Sequence, residues 1–121
     1  MACILFIDDD PYTLDAYTKA VEIFGHQAIL ASSGQQALDL AAEKCPDLIM
    51  LDVRMPDMDG FELLAHLQED DATSSIPVVM LSAGPELDAA EQAKTAGAVD
   101  YLNKPVRLNK LIDTIQRFAS D

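Results

Sequence analysis

Basic residues are scarce in this chain. Eight Lys and Arg stand against 21 Asp and Glu, for a formal net charge of -13. That balance argues against a nucleic-acid partner, because polyanions are held by Lys and Arg neutralising phosphates. Cysteine is nearly absent too. Cys3 lies in an apolar run and Cys45 at a predicted helix end, without metal-ligand spacing. Two buried free thiols in a reducing cytosol are expected. No apolar run approaches membrane-spanning length, and the first begins too soon after Met1 to leave a secretory leader. A cytoplasmic protein without a membrane segment is expected. The glycine signatures GxxxxGK[ST] and GxGxxG are missing, which disfavours nucleotide binding. A calcium loop around Gly60 fails as well. Its first and twelfth positions would be Met55 and His66, where carboxylates are required. There is no internal repeat, low-complexity segment or linker.

What the chain does have is alternation. Its 121 residues suit one domain, and half of them are hydrophobic, which supplies a core. Five short apolar runs, Cys3–Ile7, Ala28–Ala31, Leu48–Leu51, Val78–Leu81 and Val99–Leu102, alternate with segments of helical period. ILFI, LIML and VVML are apolar without a polar face, as in strands buried on both sides of a parallel sheet. Asp10 can cap a first helix with Pro11 at its first position, and Leu14, Tyr17, Val21 and Phe24 share one face before Gly25 stops it. Ser33 with Gln36 reads as a capping box, with Leu38, Ala41 and Ala42 facing inward. Asp59 with Glu62 marks a third helix ahead of Phe61, Leu64 and Leu67. Pro85 can open a fourth that Gly97 closes. Leu108, Leu111, Ile112, Ile115 and Phe118 form the clearest helical stripe. This pattern predicts an α/β fold, a (βα)5 doubly wound five-stranded parallel sheet of flavodoxin-like order 2-1-3-4-5.

In such sheets the working crevice lies beyond the carboxyl ends of the strands. The first strand ends in Asp8 and Asp9, the third in Asp52, the fourth in Ser82, and the fifth leads to Lys104. Any single Asp after a strand is more often a turn former or helix cap, a reading that suits Asp10, Asp57 and Asp59. Together, however, three carboxylates, a hydroxyl and an ammonium converge. Two carboxylates about 4 Å apart repel by roughly 4 kcal/mol at an effective dielectric near 20. Such a group raises its own pKa values or attracts a cation. An all-oxygen acidic site suits Mg²⁺, and the chemistry implied is phosphoryl transfer onto an Asp.

These residues resemble the response-regulator receiver domains of two-component signalling, of the chemotaxis-regulator kind. The resemblance rests on IDDD after the first strand, LDVRMPDMDG after the third, LSA after the fourth and GAVDYLNKP around the fifth. It covers nearly the whole chain, as a single receiver domain over residues 1–121 with no output domain expected. The resemblance implies that Asp52 is the phosphoacceptor. It implies Mg²⁺ held by Asp8, Asp9, Asp52 and the backbone carbonyl of Arg54, with Asp9 the direct ligand of the acidic pair and Asp8 acting largely through water. Ser82 would be the switch hydroxyl, Lys104 the phosphate-pairing lysine, and Tyr101 the aromatic that turns inward with the switch. The Lys104–Pro105 bond would be cis. Partners implied are a histidine kinase or phosphotransfer protein and a downstream effector meeting the face of helix 4, strand 5 and helix 5, which could also carry a dimer. The domain would be no enzyme beyond its own phosphorylation and dephosphorylation.

Ser82 departs from the more frequent Thr, Val106 from the common Phe, and Gly84-Pro85 makes the start of the fourth helix unusual. A haloacid-dehalogenase-like phosphatase is the enzymatic alternative. An Asp-x-Asp motif can be read at Asp8 and Asp10, but Thr13 falls one place late and no acidic pair follows the lysine.

Overall fold

The computed structural model describes residues 2–82 and 89–119. Strands β1 (Cys3–Ile7), β2 (Gln27–Ala31), β3 (Leu48–Asp52), β4 (Val78–Ser82) and β5 (Asp100–Asn103) alternate with helices. The helices are α1 (Pro11–Ile23), α2 (Gly34–Lys44), α3 (Gly60–Glu69), α4 (Ala89–Thr95) and α5 (Leu108–Phe118). All four strand pairings are parallel and the order is β2-β1-β3-β4-β5. The predicted topology is therefore the observed one.

The period of two along each strand divides the core. Leu5, Ile7, Ile49, Leu51, Val78 and Met80 pack on one face with Ala37 and Ala41 of α2 and Leu63, Leu64 and Leu67 of α3. Ile4, Phe6, Leu48, Met50, Val79 and Leu81 pack on the other with α1 and α5. Tyr17 of α1 stacks on Phe6 there, ring centroids 4.8 Å apart. Every residue of β3 and β4 is buried. Each large apolar side chain so placed contributes roughly 1.5–3 kcal/mol. That burial is why these strands carry no polar face until their last residues.

The helix ends follow their sequence signals. Asp10 accepts from the amide of Tyr12, with Pro11 opening α1. Gly25 at φ +82 and Gly97 at φ +105 both close Schellman motifs. The amides of Gly25 and His26 reach back to the carbonyls of Glu22 and Val21, and those of Gly97 and Ala98 to Lys94 and Ala93.

Some expectations are corrected. Ala42 is exposed, and Gly34 and Ala37 join Ala41 on the buried stripe of α2. Phe24 is half exposed because it is the C-cap of α1, where the backbone has left the helix and the side chain leaves the buried row. Leu108, the first residue of α5, is likewise exposed, and the buried stripe begins at Leu111. Cys45 is not a buried thiol. It takes the left-handed conformation, φ 46, at the end of α2 and faces solvent, while Cys3 is half-buried. In the Ser33 capping box the Gln36 side chain accepts from the amide of Ser32 rather than that of Ser33. Strand β2 begins one residue before the run expected and ends with it, and β5 is displaced by one residue toward the C-terminus. The Pro85 start of α4 and the Gly84-Pro85 departure lie outside the described residues.

Candidate functional site

Parallel strands in register deliver their last residues to one edge. Ile7 pairs with Leu51 and Asp52 with Leu81, so Asp8, Asp52 and Ser82 emerge side by side. Asp8 remains tied to the sheet through its amide, which donates to the carbonyl of Ala31. Asp8, Asp52 and Ser82 are all buried, at 2%, 7% and 3% exposure, whereas Asp9 is exposed. Carboxylate oxygens of Asp8, Asp9 and Asp52 lie within 4.8 Å of one another.

Lys104 enters from the far side. Ser82 pairs with Asn103, and the Lys104 amide donates to the Ser82 carbonyl at 2.7 Å, so the chain leaving β5 is tethered beside the site. The Lys104–Pro105 bond that follows is cis. The ammonium bridges both buried acids, at 2.5 Å from Asp8 Oδ2 and 3.1 Å from Asp52 Oδ2. Asp52 Oδ1 accepts from the amide of Arg54, and Asp8 Oδ1 from that of Asp10.

The electrostatics are those of charges withdrawn from water. Burial pushes the Asp52 carboxyl up, and the Arg54 amide and Lys104 offset only part of this. Burial pulls Lys104 down, but its bonds to Asp8 and Asp52 outweigh it and the net shift is upward. A carboxylate held reluctantly ionised, next to others, is primed to accept positive charge. Three carboxylates form the hard, all-oxygen donor set that Mg²⁺ prefers, so the residues present fit that ion.

The expected cluster is thus brought together. Asp10 caps α1 as expected, and also accepts from Thr13 Oγ1 at 2.8 Å. Tyr101 sits in β5 opposite Met80 and packs against the α2–α3 side of the core. Its hydroxyl is buried with no hydrogen-bond partner among the described residues.

What the residues did not disclose is how the β3–α3 loop is held. The amide of Gly60 donates to the Val53 carbonyl, and Arg54 and Asp59 form an isolated antiparallel bridge. A Cβ on Gly60 would lie 2.7 Å from the Asp52 carbonyl oxygen and from Val53 Cα. Glycine is what lets α3 start against the end of β3. Asp57 does cap a helix, as its type suggests, but the helix is α2. Its carboxylate accepts from the amides of Gly34 and Gln35.

A five-stranded sheet of this order with acids, a hydroxyl and a lysine at its carboxyl edge defines a receiver-type signalling domain. The family model described as "Response regulator receiver domain" matches residues 4–116. The chain belongs to that family, whose members act in two-component signalling with kinases or phosphotransfer proteins and effectors. It is 36% identical over 115 residues to Protein PilH of Pseudomonas aeruginosa, covering 95% of each chain. It is 30% identical to the polar-differentiation response regulator DivK of Brucella anthropi, covering 98% of this chain and 96% of that one. The fold superposes on the Vibrio cholerae chemotaxis protein CheY4 with a TM-score of 0.90, at 29% identity and 98% coverage of both chains. The phosphatase alternative finds no support in these matches. No helix among the described residues is long and apolar enough to cross a membrane.

Proposed function

We propose that this domain accepts a phosphoryl group on Asp52 from the phosphohistidine of a kinase or phosphotransfer protein, in a reaction that requires Mg²⁺. A carboxylate oxygen of Asp52 attacks phosphorus and the nitrogen–phosphorus bond breaks. The products are an acyl phosphate on Asp52 and a free imidazole on the donor. Mg²⁺, when bound, supplies the positive charge that offsets the phosphoryl oxygens and the acids around them.

The chain's own residues do the rest. Asp8, Asp9, Asp52 and the Arg54 carbonyl hold the ion. Lys104 leaves its ion pair with the acids and pairs with a phosphoryl oxygen, a charge-assisted bond of the strong kind. Ser82 donates its hydroxyl to another. An open depression lined by Tyr12, Ala16, Lys104, Pro105 and Val106 adjoins the site and leaves room for the donor's approach. Movement of Ser82 and Tyr101 then biases two pre-existing conformations and alters the α4–β5–α5 face, which meets the effector. The domain catalyses only its own phosphorylation and dephosphorylation.

The observation that carries this reading is the bridging of two buried carboxylates by Lys104 beside a third acid and a buried serine. Incubation with Mg²⁺ and a small phosphodonor, read by intact mass, tests it. Wild type gains one phosphoryl group, and Asp52→Asn gains none. Asp9→Ala loses labelling together with its Mg²⁺ dependence. An unlabelled wild type under conditions that label other receivers would sink the proposal.

A further inference from the structure

The loop from Val53 to Asp59 carries the only backbone carbonyl assigned above to the ion, that of Arg54. Its neck is closed by the Gly60 amide on the Val53 carbonyl at 2.8 Å and by the Arg54–Asp59 bridge. Its tip is held by something else. Asp57 Oδ1 and Oδ2 lie 2.9 and 3.0 Å from the Gly34 amide, and Oδ2 lies 3.3 Å from that of Gln35. These are first-turn amides of α2 with no partner in their own helix, and a carboxylate there also meets the positive end of the helix dipole.

The fit is close. A Cβ on Gly34 would stand 2.9 Å from Met58 Cβ, so glycine at the start of α2 is what lets the loop approach. Met55 and Met58 pack half-buried against the core on the same side. Ser33 already caps α2 through the Gln36 amide. Asp57 is therefore a second anchor, and it belongs to the loop beside the acceptor rather than to the helix.

We infer that Asp57 is a positioning residue: by clamping the β3–α3 loop to the first turn of α2, it holds the Arg54 backbone at the acidic cluster and so sets the affinity for Mg²⁺. The inference rests on the proposed Mg²⁺ site. It makes α2, which contributes no ligand, a determinant of metal binding. Groups that orient ligands without touching the metal commonly matter about tenfold or more for affinity.

The test is Mg²⁺ titration of the purified, unphosphorylated chain by calorimetry at fixed ionic strength, with four variants. Asp57→Ala is expected to bind Mg²⁺ about tenfold more weakly than wild type. Asp57→Asn keeps an acceptor oxygen without the charge and is expected to stay within about threefold of wild type, since one of the clamp's bonds survives. Ser33→Ala removes the other cap of the same helix and is expected to leave affinity unchanged. Equal losses in Asp57→Ala and Asp57→Asn would replace positioning by a simple field effect and overturn the inference. So would an equal loss in Ser33→Ala, which would point to fraying of α2. Unchanged affinity in Asp57→Ala, with wild type binding and Asp9→Ala not binding, overturns the clamp while leaving the Mg²⁺ site standing. Absence of binding in wild type overturns both.

Discussion

The loop after β1 and the loop after β3 start from a buried aspartate each, Asp8 and Asp52, and each contains further acids. They solve the same crowding differently. The first turns into α1 within three residues, and Asp10 ends it by capping that helix. The second runs over residues 53–59, folds back on its own neck, and anchors its tip to a helix from elsewhere in the chain. Asp10 and Asp59 are alike, each accepting from the amide two residues on. Asp57 has no counterpart in the first loop. A short loop is stiff by its length, whereas a longer one needs tertiary anchors to hold a backbone carbonyl in place.

Four measurements would break or sharpen that contrast. The largest effect is expected where the two loops meet. Lys104→Ala in Mg²⁺-free buffer strands Asp8 and Asp52 as buried, unpaired carboxylates and is expected to cost about 3–5 kcal/mol by urea denaturation. Added Mg²⁺ is expected to recover part of this, since a ligand of the folded state stabilises it. Next comes the neck of the second loop. Gly60→Ala drives a methyl into the backbone of Asp52 and Val53, which cannot swing aside, and is expected to cost about 3 kcal/mol. The same substitution at Gly25 meets open space but keeps a positive φ, so about 1 kcal/mol is expected.

Asp10→Ala should come third. Loss of the α1 cap lowers the unfolding midpoint, while phosphoryl labelling of Asp52 persists. Loss of labelling there would give Asp10 a part in the metal cluster beside its cap. The smallest effect is the pH dependence of the Asp57 clamp. The Gly34 amide, then that of Gln35, holds the Asp57 carboxyl below its ordinary value against a smaller opposing effect of burial. A carboxyl lowered on folding stabilises the protein above its unfolded pKa, about 3.9, and loses that stabilisation as pH falls through its folded value. The gap in urea midpoint between wild type and Asp57→Ala is therefore expected to be full near neutral pH and to narrow below about pH 4 without closing, because the protonated carboxyl keeps an acceptor oxygen as Asn does. A gap unchanged down to about pH 2.5 would mean that the charge of Asp57 adds nothing to the anchor.

Much of this was legible along the chain. ILFI, LIML and VVML declared doubly buried parallel strands because an unbroken apolar run has no polar face to offer water. Gly25 and Gly97 declared helix ends because few other residues adopt a positive φ cheaply. The acids at the ends of the first and third runs could be assigned to one edge once the strand order followed from handed crossovers. Phe24 and Leu108 misled because periodicity holds only while the backbone is helical, and each stands at a helix end, whereas Cys45 misled because free thiols are usually buried. Lys104 was assigned to a phosphoryl group, and its bridge between Asp8 and Asp52 could be seen only in the folded chain.

The division has one physical reason. Hydrophobic period, capping chemistry and the conformational freedom of glycine act over a few residues, so the sequence by itself determined the elements, their order and the residues that reach the carboxyl edge. Contacts between segments distant in sequence obey no local period. The tertiary structure alone decided that Gly60 must be bare for α3 to meet β3, that Tyr101 buries its hydroxyl, and that Asp57 ties its loop to the first turn of α2.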